Sequence, residues 1–162
     1  MTPPIFTPDG TEVEEVILPD GSEAAEVIAP DGTVVFEGAD SVVAYGGGDN
    51  NTYVHDVSDG SLVQTLTESG ATVRGVALSD THVAYGEDIL ADDNTYVHDV
   101  SDGSLVQTLT ESGGGVFGVA LSDTHVAYGG QDDNTYVHDV SDGSLVQTLT
   151  ESEAGVFGVA LL

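Results

Sequence analysis

Three histidines stand at matching places in the chain, His55, His98 and His138, and each is followed by an aspartate, Asp56, Asp99 and Asp139. A His-Asp neighbour pair is raw material for acid-base chemistry or for binding a metal ion. Zinc, however, wants three or four converging ligands, and no His-x-x-x-His spacing supplies them. The histidines are therefore read as structural, hydrogen-bonded to a loop or to their own aspartates, and His82 and His125 are read in the same way. Three acidic loops come next: Gly48-Asp49-Asn50-Asn51, Ala91-Asp92-Asp93-Asn94 and Gln131-Asp132-Asp133-Asn134. Asp49, Asp92, Asp93, Asp132 and Asp133 are oxygen donors that would suit calcium or another hard cation. They lack the ligand spacing and distal glutamate of an EF-hand, and acidic turns need no ion, so at most weak or non-specific cation binding is expected. The Ser-Asp-Gly and Glu-Ser-Gly stretches are turns and none resembles a nucleophile elbow. No catalytic residue, cofactor site or enzyme activity is expected.

These side chains are positioned by repetition. The block NTYVHDVSDGSLVQTLTES occurs unchanged at residues 51–69, 94–112 and 134–152, with spacings of 43 and 40 residues. Such a period belongs to propeller blades or helical-pair arrays, and the block has no helical pattern. In its third copy the unit reads as four strands: A over 115–121, B over 124–128, C over 135–140 and D over 144–150. Asp-Gly between C and D is a strong hairpin signal, so consecutive strands should run antiparallel. Strand A is apolar on both faces, with Phe117, Val119 and Leu121 on one and Val116 and Ala120 on the other, which suits a strand packed between neighbouring sheets. Gly118 and Gly158 fit places where backbones crowd. Arg74 stands where the other copies have Phe117 and Phe157, and is read as solvated or paired with an acid. The middle B-to-C loop is longer; its Ile89 and Leu90 are candidate partner contacts.

Val-Ala-Leu-Ser, Val-Ala-Tyr-Gly-Gly, Thr-Tyr-Val-His-Asp-Val and Asp-Gly-Ser-Leu-Val-Gln-Thr-Leu, taken together over residues 40–162, resemble the blade signature of WD-repeat and quinoprotein-like (PQQ-like) β-propellers. By this resemblance Asp56, Asp99 and Asp139 take the aspartate of the Trp-Asp dipeptide, and His55, His98 and His138 stand in for its tryptophan. The chain has no tryptophan, which argues against the quinone that part of the family binds by stacking. The expected fold is all-β: three four-stranded antiparallel propeller-like blades over 40–162, the first lacking strand A and the chain carrying a further A at 155–161. Propellers typically have four to eight blades, so ring or axis would be completed by oligomerisation. Two chains would give six blades, each C-terminal strand completing its partner's first blade; three chains or a prism-like assembly are the alternatives.

Residues 1–39 form a separate unit in which Pro-Asp-Gly recurs every 11 residues, at Pro8, Pro19 and Pro30. Each is a turn, and β-compatible segments such as 14–18 and 33–36 lie between them. Short strands bury little alone, so this module is expected to dock on other structural proteins or on its own copies.

The formal net charge is -28, from 29 acidic residues and one basic one. Such a shell repels itself in dilute buffer and is tolerable where salt screens it, which points to a halophilic archaeon or its virus as the source. One arginine forms no basic patch, so nucleic acid is not an expected partner. No apolar run reaches membrane-span length, no membrane insertion is expected, and the opening residues do not read as an export signal. The absence of cysteine excludes disulfides and thiolate chemistry. The expectation is an oligomeric structural or interaction protein of a virion, such as a capsid decoration, turret or tail fibre, that contacts a host-surface receptor. A scaffold or surface protein in the cytoplasm or at the surface of a halophilic archaeon, and a lectin or enzyme with inter-chain sites, are the other classes.

Overall fold

The computed structural model describes residues 26–28, 34–37, 41–88 and 92–162. The chain divides into two compact units, Met1–Ser41 and Val42–Leu162. In the first, β1 (Glu26–Ile28) and β2 (Val34–Glu37) pair antiparallel, with Glu26 opposite Glu37 and Val27 opposite Phe36. The segment 14–18 lies outside the described residues.

In the second unit each repeat folds as an antiparallel meander, and the local chemistry explains why. The first sheet holds β3 (Val42–Gly46), β4 (Thr52–Asp56) and β5 (Leu62–Leu66). The second holds β6 (Val73–Leu78), β7 (His82–Glu87), β8 (Thr95–Asp99) and β9 (Leu105–Leu109). The third holds β10 (Val116–Leu121), β11 (His125–Gly130), β12 (Thr135–Asp139) and β13 (Leu145–Leu149). These sheets are propeller-like blades 1, 2 and 3. The turn after β4, β8 and β12 closes on a glycine in the left-handed region, with φ of 74°, 73° and 71° at Gly60, Gly103 and Gly143. Only glycine takes that conformation at low cost. In the B-to-C loops the left-handed residue is Asn50, Asp93 or Asp133, with φ of 69°, 58° and 65°. Asn and Asp tolerate this region best among side-chain-bearing residues, so the polar composition of these loops has a backbone cause.

Blades are joined by burial between sheets. One apolar cluster, Val54, Leu66, Val73, Val83, Tyr85 and Tyr96, lies between blades 1 and 2. A second, including Val97, Leu109, Val116, Val126, Tyr128 and Val140, lies between blades 2 and 3. The B strand of each blade carries a glycine against which the next A segment seats a valine. A side chain at Gly46 would collide with Val73, at Gly86 with Val116, and at Gly129 with Val156. The crowding expected at Gly118 is present: a Cβ there would lie 3.0 Å from the Cα of Gly158. At Gly158 the added Cβ meets open space, against expectation, because no further sheet packs on that side among the described residues.

The expected third A strand at 155–161 is not a strand in the single chain. It docks as one nevertheless, since Val156 N donates to Gly130 O at 2.8 Å, as Val73 N does to Gly47 O at 3.2 Å. What it lacks is a B strand to pair with. Blade 1 has the converse defect: β3 has only β4 beside it among the described residues.

Identical residues therefore meet different surroundings. Leu66 and Leu109 are 4% and 3% exposed, whereas Leu149, their counterpart in blade 3, is 47% exposed. Leu109→Ala should cost about 2–5 kcal/mol by opening a cavity, while Leu149→Ala should change the dilute chain by less than about 0.5 kcal/mol. Urea unfolding at constant multi-molar salt compares the two; equal losses would refute the inter-sheet assignment of the cores.

Candidate functional site

The chemically capable side chains of the repeat gather into one network per blade. Strand B supplies a tyrosine, strand C a histidine, and the loop leaving the preceding blade a glutamate. In blade 2 the Tyr85 hydroxyl lies 3.1 Å from Glu68 Oε2 and 3.1 Å from His98 Nε2. His98 Nδ1 is 3.0 Å from Gly103 O, and its Nε2 is 3.3 Å from Glu68 Oε2. Blade 3 repeats this with Tyr128, Glu111 and His138, at 3.1 Å from hydroxyl to acid and 3.2 Å from hydroxyl to imidazole. A carbonyl only accepts, so each Nδ1 carries a hydrogen donated to the turn glycine, and Nε2 is the atom presented to tyrosine and glutamate. Tyrosine and histidine rings stack at 5.5 Å with interplanar angles of 14° and 17°.

Tyr85, Tyr128, His98 and His138 are fully buried, while Glu68 and Glu111 keep 36% and 37% of their side chains in water. Burial, and then the charge of the adjacent glutamate, push both tyrosine hydroxyls far above the usual phenol range, so they remain protonated donors. An acid, a tyrosine and a histidine in a row resemble a proton-transfer chain. Here the two inner members are sealed between sheets, and the arrangement pins the loop of one blade to the strands of the next. The histidines are thus bonded to a loop, as anticipated, but not to their own aspartates. Asp56, Asp99 and Asp139 instead close the C-to-D turn by accepting from the backbone and side chain of Ser58, Ser101 and Ser141.

Blade 1 holds an incomplete copy. Tyr45 and His55 approach to 3.3 Å and His55 Nδ1 lies 2.9 Å from Gly60 O, but among the described residues no glutamate bonds them, and Tyr45 is 50% exposed.

The candidate cation ligands lie in separate turns. Asp49 accepts from Asn51 N at 3.4 Å and from Tyr53 Oη at 2.5 Å. Asp132 accepts from Gly113 N at 2.9 Å and Tyr136 Oη at 2.7 Å. Burial raises the affinity of Asp132 for its proton, but these hydrogen bonds outweigh it and leave the group below the usual carboxylate range. Asp93 is shifted upward, first by burial and then by the charges of Glu87, Asp92 and Asp132. Asp92 is exposed and Asp133 half-buried at its left-handed turn position. No group of three or more ligating side chains converges among the described residues. Ile89 and Leu90 lie outside the described residues.

Sequence reasoning missed Glu87. It replaces a small residue, Gly47 or Gly130, of the other blades, and it is fully buried. Its carboxylate accepts from Ser69 Oγ at 3.0 Å, Gly70 N at 2.9 Å and Asn94 N at 3.1 Å, tying two loops together. Arg74 pairs with Asp88 at 2.6 Å and lies 5.9 Å from the centre of the Phe117 ring. With Thr72, Val73 and the stacked rings of Phe117 and Phe157 these residues line a cleft of about 580 Å³.

Neither a protein-family model nor a curated protein matches the sequence. Among solved structures, 728 chains match, so the fold is widely used and assigns no function by itself. One, titled "Structure of U3-55K", aligns with a TM-score of 0.67 at 19% identity over 83% of this chain. The alignment covers 41% of that chain, so the present one spans about two fifths of its length. This likeness supports the propeller-like β fold alone.

Glu87→Ala should lower stability by about 2–4 kcal/mol, because three buried or half-buried donors lose their acceptor at once. A urea midpoint within error of the parent would show that water replaces the carboxylate there. Asp139 is held below its ordinary value of 3.8 by hydrogen bonds from the Ser141 side chain and backbone. A depressed folded-state value contributes stability above the unfolded value, lost as pH falls through the folded one. Ser141→Ala should move the Asp139 carboxyl upward in an NMR pH titration, and an unchanged titration would discount the hydroxyl.

Proposed function

We propose that this chain is a non-enzymatic, self-assembling structural protein of WD-repeat-like β-propeller type, carried on the virion of a virus that infects halophilic archaea. The observation that supports it best concerns where the repeat uses its reactive groups. Histidine, tyrosine and glutamate are engaged in joining blades, while surfaces of the kind buried between blades are bare on the outer faces of blades 1 and 3. Val43, Tyr45 and Val57 on one side, and Leu149 and Phe157 on the other, are large apolar groups at 47–75% exposure. Apolar surface of that kind marks an interaction site.

The charge of -28 supports a multi-molar salt environment, where the Debye length falls to about 3 Å at 1 M and the acidic shells of adjacent copies cease to repel. In this reading the blades form a displayed head, residues 1–39 dock it onto other structural proteins, and the head contacts a host-surface receptor. The role is that of a capsid decoration, turret or fibre component.

Light scattering in multi-molar salt should give a native mass at least twice that of the 16.6 kDa chain, falling toward the monomer as salt is withdrawn. A monomer at every salt and protein concentration would end the self-assembly reading. Mass spectrometry of purified haloarchaeal virus particles should find the chain there; finding it in uninfected cells instead would favour the cellular scaffold.

A further inference from the structure

We propose that the incomplete network of blade 1 is completed by a second copy of this chain, which supplies Glu151 as the missing acid and residues 156–161 as the missing strand. The inference rests on the self-association proposed above and specifies its geometry.

The acid comes first. Glu68 and Glu111 each leave their own blade and accept from the tyrosine hydroxyl of the following one, 3.3 Å from its histidine Nε2. Glu151 is the third member of this series, in an identical sequence context, and it is exposed. Its side chain already holds the shape of the other two. Thr150 N donates to Glu151 Oε2 at 3.0 Å, as Thr67 N does to Glu68 at 3.0 Å and Thr110 N to Glu111 at 3.2 Å. The acceptor is thus set, and Tyr45 with His55 is the one such pair in the described blades that has no glutamate.

The strand gives a register. β10 pairs with β11 through Gly118 opposite Gly129, Val119 opposite Tyr128, Ala120 opposite Ala127 and Leu121 opposite Val126. β6 pairs with β7 by the same rule, Gly75 opposite Gly86 and Val76 opposite Tyr85. Transferred to the edge of β3 that has no partner among the described residues, the rule sets Gly158 opposite Gly46, Val159 opposite Tyr45, Ala160 opposite Ala44 and Leu161 opposite Val43. Val156 is already seated against Gly129, so the segment is docked on its own blade 3 and offers its open side. The seam between blades recurs in a third contact: Gln64 donates to Val100 O at 2.9 Å and Gln107 to Val140 O at 3.3 Å. Gln147 is the next in that series, and the counterpart of Val100 and Val140 in blade 1 is Val57, 58% exposed.

The outer face of blade 3 and the outer face of blade 1 are therefore the two halves of an interface the chain makes twice internally. A head-to-tail contact of this kind closes when the rotation permits, and two copies bring six blades, within the usual propeller range. An occupant of a different sort, such as residues 1–39 on the β3 edge, predicts different cross-links.

The chain has no cysteine, so disulfides report the register cleanly. Ala44→Cys with Ala160→Cys, oxidised in multi-molar salt, should give an inter-chain covalent dimer, while the offset pair Val42→Cys with Ala160→Cys should remain unlinked. Glu151→Gln should weaken association roughly ten-fold, the order expected for a hydrogen bond to a charged group, and leave the urea midpoint of the dilute chain unchanged. An oligomer by light scattering without the aligned cross-link, or with a link only within one chain, would overturn this geometry and leave self-association standing. A chain monomeric at all concentrations would overturn both, and unchanged affinity in Glu151→Gln would remove the acid's role.

Discussion

Everything in the blade unit depends on a seam between sheets in which a glycine on one strand admits a valine from the next blade while a glutamate crosses to a tyrosine and a histidine. Neither half is stable alone. The valine contact is apolar and short-ranged, and it brings two backbones so near that any larger residue at Gly46, Gly86 or Gly129 would force them apart. The polar contact is directional, and it desolvates two side chains that would each cost free energy if left unpaired. Packing sets the spacing and hydrogen bonding sets the register. A four-stranded sheet of five- or six-residue strands has too little inner surface to supply either, so stability resides between repeats, as it does in linear repeat arrays.

The electrostatics follow the same division. Many acids among the described residues decorate turns, where Asp56, Asp102 and Asp142 are held below their ordinary values by hydrogen bonds from the side chain, and then the backbone, of the serine two residues on. They serve the fold locally and add to the net charge globally. Glu87 is the exception, a buried acid with no ion pair among the described residues, held by three donors. It occurs in the blade whose B-to-C loop is three residues longer, where it takes over the anchoring of Asn94 N that Asp49 and Asp132 perform at Asn51 and Asn134.

Much of this was legible in the sequence. Three unchanged copies of a block with period-two alternation and Asp-Gly turns fix the meander, and strand limits differ from the sequence reading by only one or two residues. The histidines were read as bonded to a loop or to their own aspartates, and the loop is what they bond, through Gly60 O, Gly103 O and Gly143 O. Their side-chain partners were illegible, since the tyrosine lies 10 or 13 residues away and the glutamate belongs to the previous blade. The signal was present in Val-Ala-Tyr-Gly: a tyrosine in an otherwise apolar strand must bond its hydroxyl when buried. Arg74, read as solvated or acid-paired, is half exposed and pairs with Asp88. The A segment at 155–161 was read as a strand because its sequence is that of one, yet a strand requires a neighbour, which sequence identity alone does not provide.

The tight turn between the C and D strands of each blade has a bearing on how the chain finds its fold. Because the C and D strands are identical in all three copies, a C strand gains the same hydrogen bonds and side-chain neighbours from any of three D strands. Energetics of pairing cannot select the correct partner; time can. The five-residue connection places the native partner within a loop that closes far sooner than one spanning a whole repeat, and hairpins form in about 1–10 μs. Gly60, Gly103 and Gly143, by making that connection short, act as an ordering device in time, so that each copy is matched with itself before the others come within reach.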